Sequence, residues 1–588
     1  MRRRPRTTFL LSLLAIILFA AFSLHLSRNA VSGWRPDSDI RNLNANLTIF
    51  RNKNIINEFP RQARHVSSIK DSLSSVSVLL PDWEILLILS PNTPFSFSDQ
   101  HHCFFRNNAQ SLARFSGFLP FTNRTTFKCD FPESVRRRRM FSQPMLVAGT
   151  TETEFPDPSP APELMRWNFL VYESFSTEDD VVLFAKGVNH RQGYNRSPKE
   201  LRCVFDVGDG IRNAVTSSVQ EVFRCPHPDP LELGLDYDNG LSERGQRIGI
   251  SLEIVAENIV VPSVAYYMGR PKSKPRVNAL AVKEDLGSEA QTRPKYFLCA
   301  CTMVYNVAKF LREWVTYHSR VGVENFILYD NASDDDFYSV VKELRAEGYN
   351  ISTLFWIWPK TQEAGFSHSV VFSKSKGLCK WIMYVDVDEF VFSPTWGHGK
   401  SKSASLKSLL PLQRGTTKSR IGQVSIRCLE FGPSGNREHP VEGVTQGYTC
   451  RRRVEQRHKS VVLVEAVEES LRNVIHHFEV KEKEGFRSKE IRMEEALVNH
   501  YKYQAWDEFK RKFRRRVSAY VVDWTNAVNS NSKDRTPGLG FQAIEPKDWT
   551  QRFCEVRDGR LKSLTRAWFG SSTRNGYRMS WQRSQQHL

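Results

Sequence analysis

The chain has 588 residues, enough for two or three domains with cores of their own. It carries 83 lysines and arginines against 64 aspartates and glutamates, a formal net charge of +19. Its ten cysteines include no Cys-X-X-Cys pair, which argues against zinc modules built on such pairs.

Arg2, Arg3, Arg4 and Arg6 precede an uncharged apolar stretch, and Arg28 follows it. This pattern predicts a cytosolic tail over 1–7 and a transmembrane signal anchor over 8–27. A cleaved signal peptide is the alternative, but no clear small-X-small site follows the apolar run. The span is short, as suits a thin membrane, so the expected location is the Golgi membrane, single-pass type II. The rest of the chain would then be lumenal. Sequons at Asn46, Asn123, Asn195, Asn331 and Asn350 agree with that. A lumenal chain meets no nucleic acid, so the positive charge is left for diphosphates, acidic polysaccharide or a membrane surface. The densest basic runs, Arg136 to Arg139 and Lys510 to Arg516, read as solvated faces.

Residues 28–78 are polar and read as a stem. Over 79–270 short apolar strands are broken by Pro, Gly and Asn, among them Ile85–Leu89, Val181–Phe184 and Ile248–Val255. This predicts a β-rich, sandwich-like accessory domain. Within it Cys103-Phe-Phe precedes Phe127-Lys-Cys129, and Cys203-Val-Phe precedes Phe223-Arg-Cys225. The repeat suggests bridges Cys103–Cys129 and Cys203–Cys225. Exposed Trp83, Trp167 and Tyr172 could stack on sugars, or be core residues. Residues 271–294 read as a linker, 295–545 as a catalytic domain and 546–588 as a C-terminal tail.

In the catalytic stretch strands and helices alternate: strand Tyr296–Val304, helix Val307–Gly322, strand Asn325–Tyr329, helix Ser339–Glu347, strand Ile351–Trp358, helix His368–Lys380 and strand Trp381–Val385. Alternation implies a largely parallel α/β sheet, with ligands at the carboxyl ends of the strands. Acids fall at those ends: Asp330, and Asp386 with Asp388. The last two are two residues apart and leave one face of an extended chain. Two converging carboxylates suit a hard divalent cation that also grips a diphosphate.

Four segments together resemble glycosyltransferase family 92, whose plant members include galactan β-1,4-galactosyltransferases. They are Cys301-Thr-Met-Val-Tyr-Asn306 through His318, Phe326-Ile-Leu-Tyr-Asp330-Asn331, Gln362 to His368 leading to Asp386-Val-Asp388-Glu389, and Val498-Asn-His500-Tyr-Lys502-Tyr503 followed by Lys512. The resemblance implies a GT-A fold, a nucleotide-sugar donor, a divalent metal (manganese or magnesium) and inversion at the anomeric carbon. By position it makes Asp386 and Asp388 metal ligands and places Asp330 on the donor's base or ribose. It puts Asn306, Glu313, Trp314 and Asn331 around the donor pocket. For a third metal ligand His500 is preferred to His476 and His477. Arg453, Arg457 and Lys459 are placed to assist the leaving diphosphate. The catalytic base stays open among Glu389, Glu430 and Glu442, with Glu438 also near the loop Phe431-Gly-Pro-Ser-Gly435.

Two departures stand out. Tyr305 replaces an arginine, and Ser369 replaces a cysteine, which leaves Cys379 or another cysteine without its usual partner. Asn331 lies inside the donor loop and should stay unglycosylated despite its sequon. The expected activity is transfer of galactose from UDP-galactose to a cell-wall polysaccharide acceptor, with the oligomeric state open and a homodimer among the options. The competing readings are a lumenal carbohydrate-binding protein with an inactive transferase domain and a glycoside hydrolase.

Overall fold

The computed structural model describes residues 72–582, leaving aside 92, 137–140, 150–161, 190–193, 207–209, 230–234, 237–240, 243–246, 272–293, 398–404, 412–419, 475, 519–544 and 575. The predicted anchor, most of the stem and nearly all of the linker lie outside the described residues. Among those described, no helix is long and apolar enough to cross a membrane. Gln62–Leu588 forms one compact unit, and all that follows concerns it.

The first part is β-rich. Strands β1 (Ser75–Leu79), β2 (Glu84–Leu89), β3 (His101–Phe104), β4 (Gln110–Phe118), β5 (Thr125–Asp130) and β6 (Met145–Ala148) belong to one eight-stranded, mostly antiparallel sheet. Then come β7 (Leu170–Ser176), β8 (Asp180–Lys186), β9 (Leu201–Phe205), β10 (Ser217–Val219), β11 (Val222–Pro226) and β12 (Ile248–Ile254). Of these, β7, β8, β10 and β11 form a four-stranded sheet, while β9 and β12 lie in a five-stranded one. The structure therefore holds two successive β modules where one sandwich was expected. Each contains one of the proposed bridges, Cys103–Cys129 and Cys203–Cys225.

Alternation along the strands explains how the modules are used. Ile85, Leu87 and Leu89 of β2 join Cys103, Phe127 and Cys129 in a local core. Leu86 and Ile88, on the opposite face, join the main core of the molecule. In β8, Val181, Leu183 and Ala185 share a core with Cys203 and Cys225, while Val182 and Phe184 face the main core. Both faces are apolar because both are covered. At this seam Phe121, Phe175 and Phe184 surround the buried ring of His368, with centroids 5.4–5.5 Å away. Tyr172 is fully buried there, so it presents no sugar-stacking face.

The second part alternates as expected: β13 (Tyr296–Val304), α1 (Ala308–Arg320), β14 (Asn325–Asp330), α2 (Phe337–Ala346), β15 (Ile351–Phe355), α3 (Gln362–Lys376) and β16 (Cys379–Tyr384). The four strands are parallel in the order β15-β14-β13-β16. β17 (Glu389–Phe392), β18 (Arg420–Glu430), β19 (His458–Leu463), β20 (Phe486–Glu490) and β21 (Leu497–His500) extend the sheet to nine strands. Helices α4 (Val444–Gly447), α5 (Trp506–Ser518) and α6 (Arg560–Phe569) flank it. β17 and β19 run against the other strands. Their first residues therefore share an edge with the last residues of the rest.

Strand β17 closes one end of the sheet, and α1 covers its free backbone groups. Trp314 Nε1 donates to the Glu389 carbonyl at 3.2 Å and Tyr317 Oη to the Val391 carbonyl at 2.7 Å. The Val391 amide donates to His318 Nε2 at 3.5 Å. Residues 314, 317 and 318 share one helical face, so one helix can serve one strand. Burial pushes the His318 pKa down to about 3, which keeps the ring neutral and able to accept.

Two expectations need correction, and one is narrowed. The segment read as a C-terminal tail is built into the α/β body. Cys554 is bonded to Cys450, Trp549 is buried, and Asp558 pairs with Arg451 at 2.8 Å. The unpaired cysteine, left open as Cys379 or another, is another, because Cys379 is bonded to Cys299. The free thiols are the buried Cys301 and Cys428, and it is Cys301 that lies against Ser369. Finally, α3 begins at Gln362 instead of His368.

Candidate active site

The sheet geometry gathers one set of side chains at one edge. Asp330, Glu430 and His500 are the last residues of β14, β18 and β21. Asp386 and Asp388 follow β16, and Glu389 begins β17. Lys459 is the second residue of β19. His500 is in register with Glu389 on one side and Glu430 on the other.

Three carboxylates form the centre. Asp386 Oδ2 lies 2.9 Å from Lys459 Nζ, and Glu389 Oε2 lies 2.8 Å from the same nitrogen. Asp388 Oδ2 lies 2.7 Å from Lys512 Nζ on α5 and 3.5 Å from His500 Nε2. His500 Nδ1 is 3.5 Å from Glu389 Oε1. His476 Nε2 is 2.7 Å from Lys459 Nζ and 3.7 Å from Asp386 Oδ2. Gln362 Nε2 donates to Asp386 Oδ1 at 3.3 Å.

The electrostatics follow from burial set against these partners. Burial opposes the charge of Asp386, but the Lys459 ammonium outweighs it and holds the carboxyl below its usual range. Asp388 is held lower still, with Lys512 and His500 overcoming burial. Glu389 is fully buried and its pKa is raised, by burial first and by the neighbouring aspartates, against Lys459. Burial also opposes charge on Lys459 and His500, yet the carboxylates raise both. Burial, with Lys459 close by, pushes His476 down to about 3, so it accepts from the ammonium.

Glu389 acts on its own turn. Its Oε2 accepts from the Asp386 amide at 2.8 Å, and its own amide donates back to the Asp386 carbonyl at 3.0 Å. It has no exposed surface, and of the three positions left open for the base it is the one whose carboxylate is bound into its own turn. Glu430 is buried beside Lys502 Nζ at 2.5 Å, Tyr503 Oη at 3.3 Å and Arg452 Nη1 at 3.5 Å. Glu442 makes no ion pair with the cluster, and Glu438 is exposed.

The donor-side residues divide. Asn306, at φ +52°, is paired with Asp334: its side-chain oxygen accepts from the Asp334 amide at 2.9 Å. Asp330 accepts from the Ser333 amide at 3.0 Å and from Tyr338 Oη at 2.8 Å; burial raises its pKa against these donors. Asn331 donates its amide to the Trp356 carbonyl at 2.6 Å. Glu313 is not in the pocket. Its buried carboxylate accepts from the Val444 and Thr445 amides at 2.8 and 3.0 Å and from Thr445 Oγ1 at 2.6 Å, capping α4. Gly443, at φ +102°, makes room for it, since a Cβ there would lie 2.4 Å from Glu313 Oε2. Arg453 and Arg457 are exposed and make no ion pair with the acids. His477 lies away from them, on Gln423 and His458.

Lys512, Gln362 and His476 contact the acids directly. Lys512 stands both in a basic run and in the fourth family segment, and no local pattern assigns it to Asp388. Among the described residues no group of three His, Cys, Asp or Glu side chains is drawn together tightly enough to cage a metal ion. Asp388 and His500 are adjacent donors, and an oxygen–imidazole pair with Asp386 close by fits a divalent cation in chemistry.

A mixed sheet whose parallel strands end in carboxylates, with the buried Lys459 behind them, agrees with the GT-A framework expected from the family resemblance. The family model for glycosyltransferase family 92 matches residues 295–536. A family 92 protein of Arabidopsis thaliana is 41% identical over 429 residues, 71% of this chain and 69% of that one. One of Ricinus communis is 34% identical over 570 residues, 94% of this chain and 93% of that one, so the likeness takes in the β modules. The chain belongs to glycosyltransferase family 92. Among solved structures, a mannosyltransferase from Pyrobaculum calidifontis in complex with GDP-Man and Mn2+ covers 41% of this chain and 67% of its own at 11% identity, with a TM-score of 0.24, too low to carry argument.

Proposed function

We propose that this glycosyltransferase moves galactose from UDP-galactose to a polysaccharide acceptor, with inversion and with a divalent cation, manganese in the first instance. The observation that carries the reading is the cluster of Asp386, Asp388, Lys459, Lys512 and His500 at the carboxyl edge of the sheet. Asp386, Asp388 and His500 would hold the cation, which when bound supplies charge to a leaving diphosphate. Lys459 and Lys512 add fixed positive charge at the same place. Inversion by direct displacement needs a base on the acceptor hydroxyl. We assign Glu430, which shares the edge and the register of His500. The resemblance to plant galactan synthases supports the donor and a role in cell-wall synthesis. The basic, apolar N-terminus supports a type II anchor in the Golgi membrane.

Calorimetry on the full chain in detergent tests the core of this reading. UDP should bind with manganese and not with chelator, and a screen of nucleotide sugars should then give one preferred donor. Equal UDP affinity in both conditions would overturn the metal assignment. Turnover that survives chelation and releases free sugar from a glycan would point to a hydrolase. Glu430→Gln should abolish transfer while leaving UDP affinity unchanged, and loss of UDP binding would place Glu430 on the donor instead.

A further inference from the structure

Asp386 has three side-chain neighbours. Of these, Gln362 opens α3 just after the loop that holds Lys360, and His476 lies on the loop that follows Asn473; both loops rest on the second β module. The β10–β11 turn places Gln220 at φ +54°, a left-handed conformation uncommon outside glycine. Every polar group of this residue is engaged. Its amide donates to Asn195 Oδ1 at 2.9 Å, and its carbonyl accepts from Asn189 Nδ2 at 3.0 Å. Its side chain donates to the Asn473 carbonyl at 2.8 Å and accepts from the Asn473 amide at 3.2 Å. A side-chain amide thus pairs with the backbone three residues before His476.

The neighbouring contacts repeat the arrangement. Arg224 Nε donates to the Glu469 carbonyl at 2.7 Å. Lys186 Nζ donates to the Lys360 carbonyl at 2.9 Å, two residues before Gln362, and is held by Glu221 Oε1 at 2.5 Å. Asn473 Nδ2 then donates to the Glu363 carbonyl at 3.0 Å and to Ser367 Oγ at 2.9 Å, joining the two loops through α3. A half-buried, non-glycine residue held off its preferred φ persists only where its surroundings fix it. Here they fix it against one short segment of the catalytic body.

We infer that Gln220 and Lys186 are positioning residues for the donor site: the β module holds the His476 and Gln362 loops in the register that sets Asp386. The inference rests on the donor reading above, and its logic is pairwise. His476 accepts from Lys459, and Lys459 neutralises Asp386 and Glu389 together. A His476 loop free to move would loosen the lysine and, through it, the turn Asp386–Glu389. Charge-holding sites lose function with shifts of about an ångström, so the effect should be read in affinity before it is read in stability.

The test is a double-mutant cycle on the full chain. Calorimetry with UDP and manganese is run on the wild type, Gln220→Ala, His476→Ala and the double variant, with hydrogen exchange on amides 471–478. Gln220→Ala should weaken UDP binding about tenfold and raise exchange in that segment. The double variant should bind no more weakly than His476→Ala alone, because both changes act through one loop. If the wild type fails to bind UDP, the donor reading falls and the inference with it. If the wild type binds and Gln220→Ala binds equally well, the inference alone is overturned. Additive losses would also overturn it, since they would mean Gln220 acts by another route. Should Gln220→Ala fail to fold, Lys186→Met carries the same cycle against Gln362→Ala, with the same outcomes deciding.

Discussion

Lys459→Met removes the cation shared by the buried Glu389 and the half-buried Asp386, so its effect can be worked from the structure. Lys459 is 7% exposed and Glu389 is 0% exposed. Removing one partner of a buried ion pair costs about 3–5 kcal/mol, because the other charge is left unpaired. Of the two carboxylates that lose their partner only Glu389 is fully buried, the Asp386 side chain being 31% exposed, which places the loss near the bottom of that range, about 3 kcal/mol. That is a large share of a typical unfolding free energy of about 5–15 kcal/mol. The loss should depend on pH. Glu389 already sits above its ordinary pKa, and without Lys459 it should rise further. A carboxyl raised in the folded state adds stability below its unfolded pKa and loses that stability as pH rises through the folded value. Asp386, held low by Lys459, adds stability above its unfolded pKa that the variant forfeits, so it acts with the same sign. The deficit should therefore be largest near about pH 8 and smaller near about pH 5. Urea unfolding followed by circular dichroism at both values measures it. A deficit under about 1 kcal/mol, as for an exposed pair, or one equal at both pH values would refute the reasoning.

Glu313→Ala should cost about 3 kcal/mol in a thermal melt by orphaning the donors of α4, with Glu313→Gln losing less. Because burial lifts Glu313 to about 7, wild-type stability should fall as pH rises from the unfolded carboxylate value through about 7, and Glu313→Gln should flatten that fall. Asp388→Asn should abolish manganese-dependent UDP binding with the melting curve kept; retained binding would move the cation elsewhere. Non-reducing peptide mapping should find the four bridges with Cys301 and Cys428 as thiols, and Ser369→Cys should protect Cys301 from alkylation after unfolding. Mapping should also find Asn331 without glycan, since its amide is spent on the Trp356 carbonyl.

What could be read in the sequence was local. The alternation after Tyr296 and the acids at strand ends are short-range patterns, and the sheet turns them into an edge. The repeated Cys-X-Phe pattern points to both bridges of the β modules because each closes a short loop, 26 and 22 residues, although Cys103 and Cys129 sit on strands with another between them and Cys203 and Cys225 on two different sheets. Long-range partners were not legible. Cys299–Cys379 and Cys450–Cys554 span 80 and 104 residues, and no spacing rule reaches that far. Helix α3 was begun late because Gly365 interrupts its pattern, yet that glycine is where the helix meets Met303, whose Cε would lie 2.9 Å from an added Cβ. The resemblance places Glu313 at the donor pocket, because position in a motif carries no information about a distant partner. Its partner, the turn at Gly443, lies about 130 residues away and carries no signal pointing back to it.

The acid cluster shows why the motif alone says so little. Asp386, Asp388 and Glu389 are contiguous in sequence, but each of their cations arrives from elsewhere. Lys459 comes from β19, His500 from β21 and Lys512 from α5. Three carboxylates, Glu389 among them fully buried, could not be brought together until those elements had docked, because a buried charge without a partner is strongly disfavoured. The site is therefore a product of the completed sheet and not of the strand that carries the motif. The two lysines also stand to the acids as a bound cation would, meeting carboxylates at 2.7–2.9 Å. Lys459 is buried beneath the acids, while the Lys512 side chain is 38% exposed at the open side. On the proposed reading only Lys512 can give way when a divalent ion takes Asp388. Its ammonium is then free to meet the diphosphate that arrives with the ion. Lys512→Met should on this argument tighten manganese binding in the absence of nucleotide and weaken UDP binding in its presence. Paired titrations of the metal alone and of UDP at saturating metal would separate the two effects. A variant that lost affinity in both titrations would show that Lys512 holds the site together instead of yielding within it.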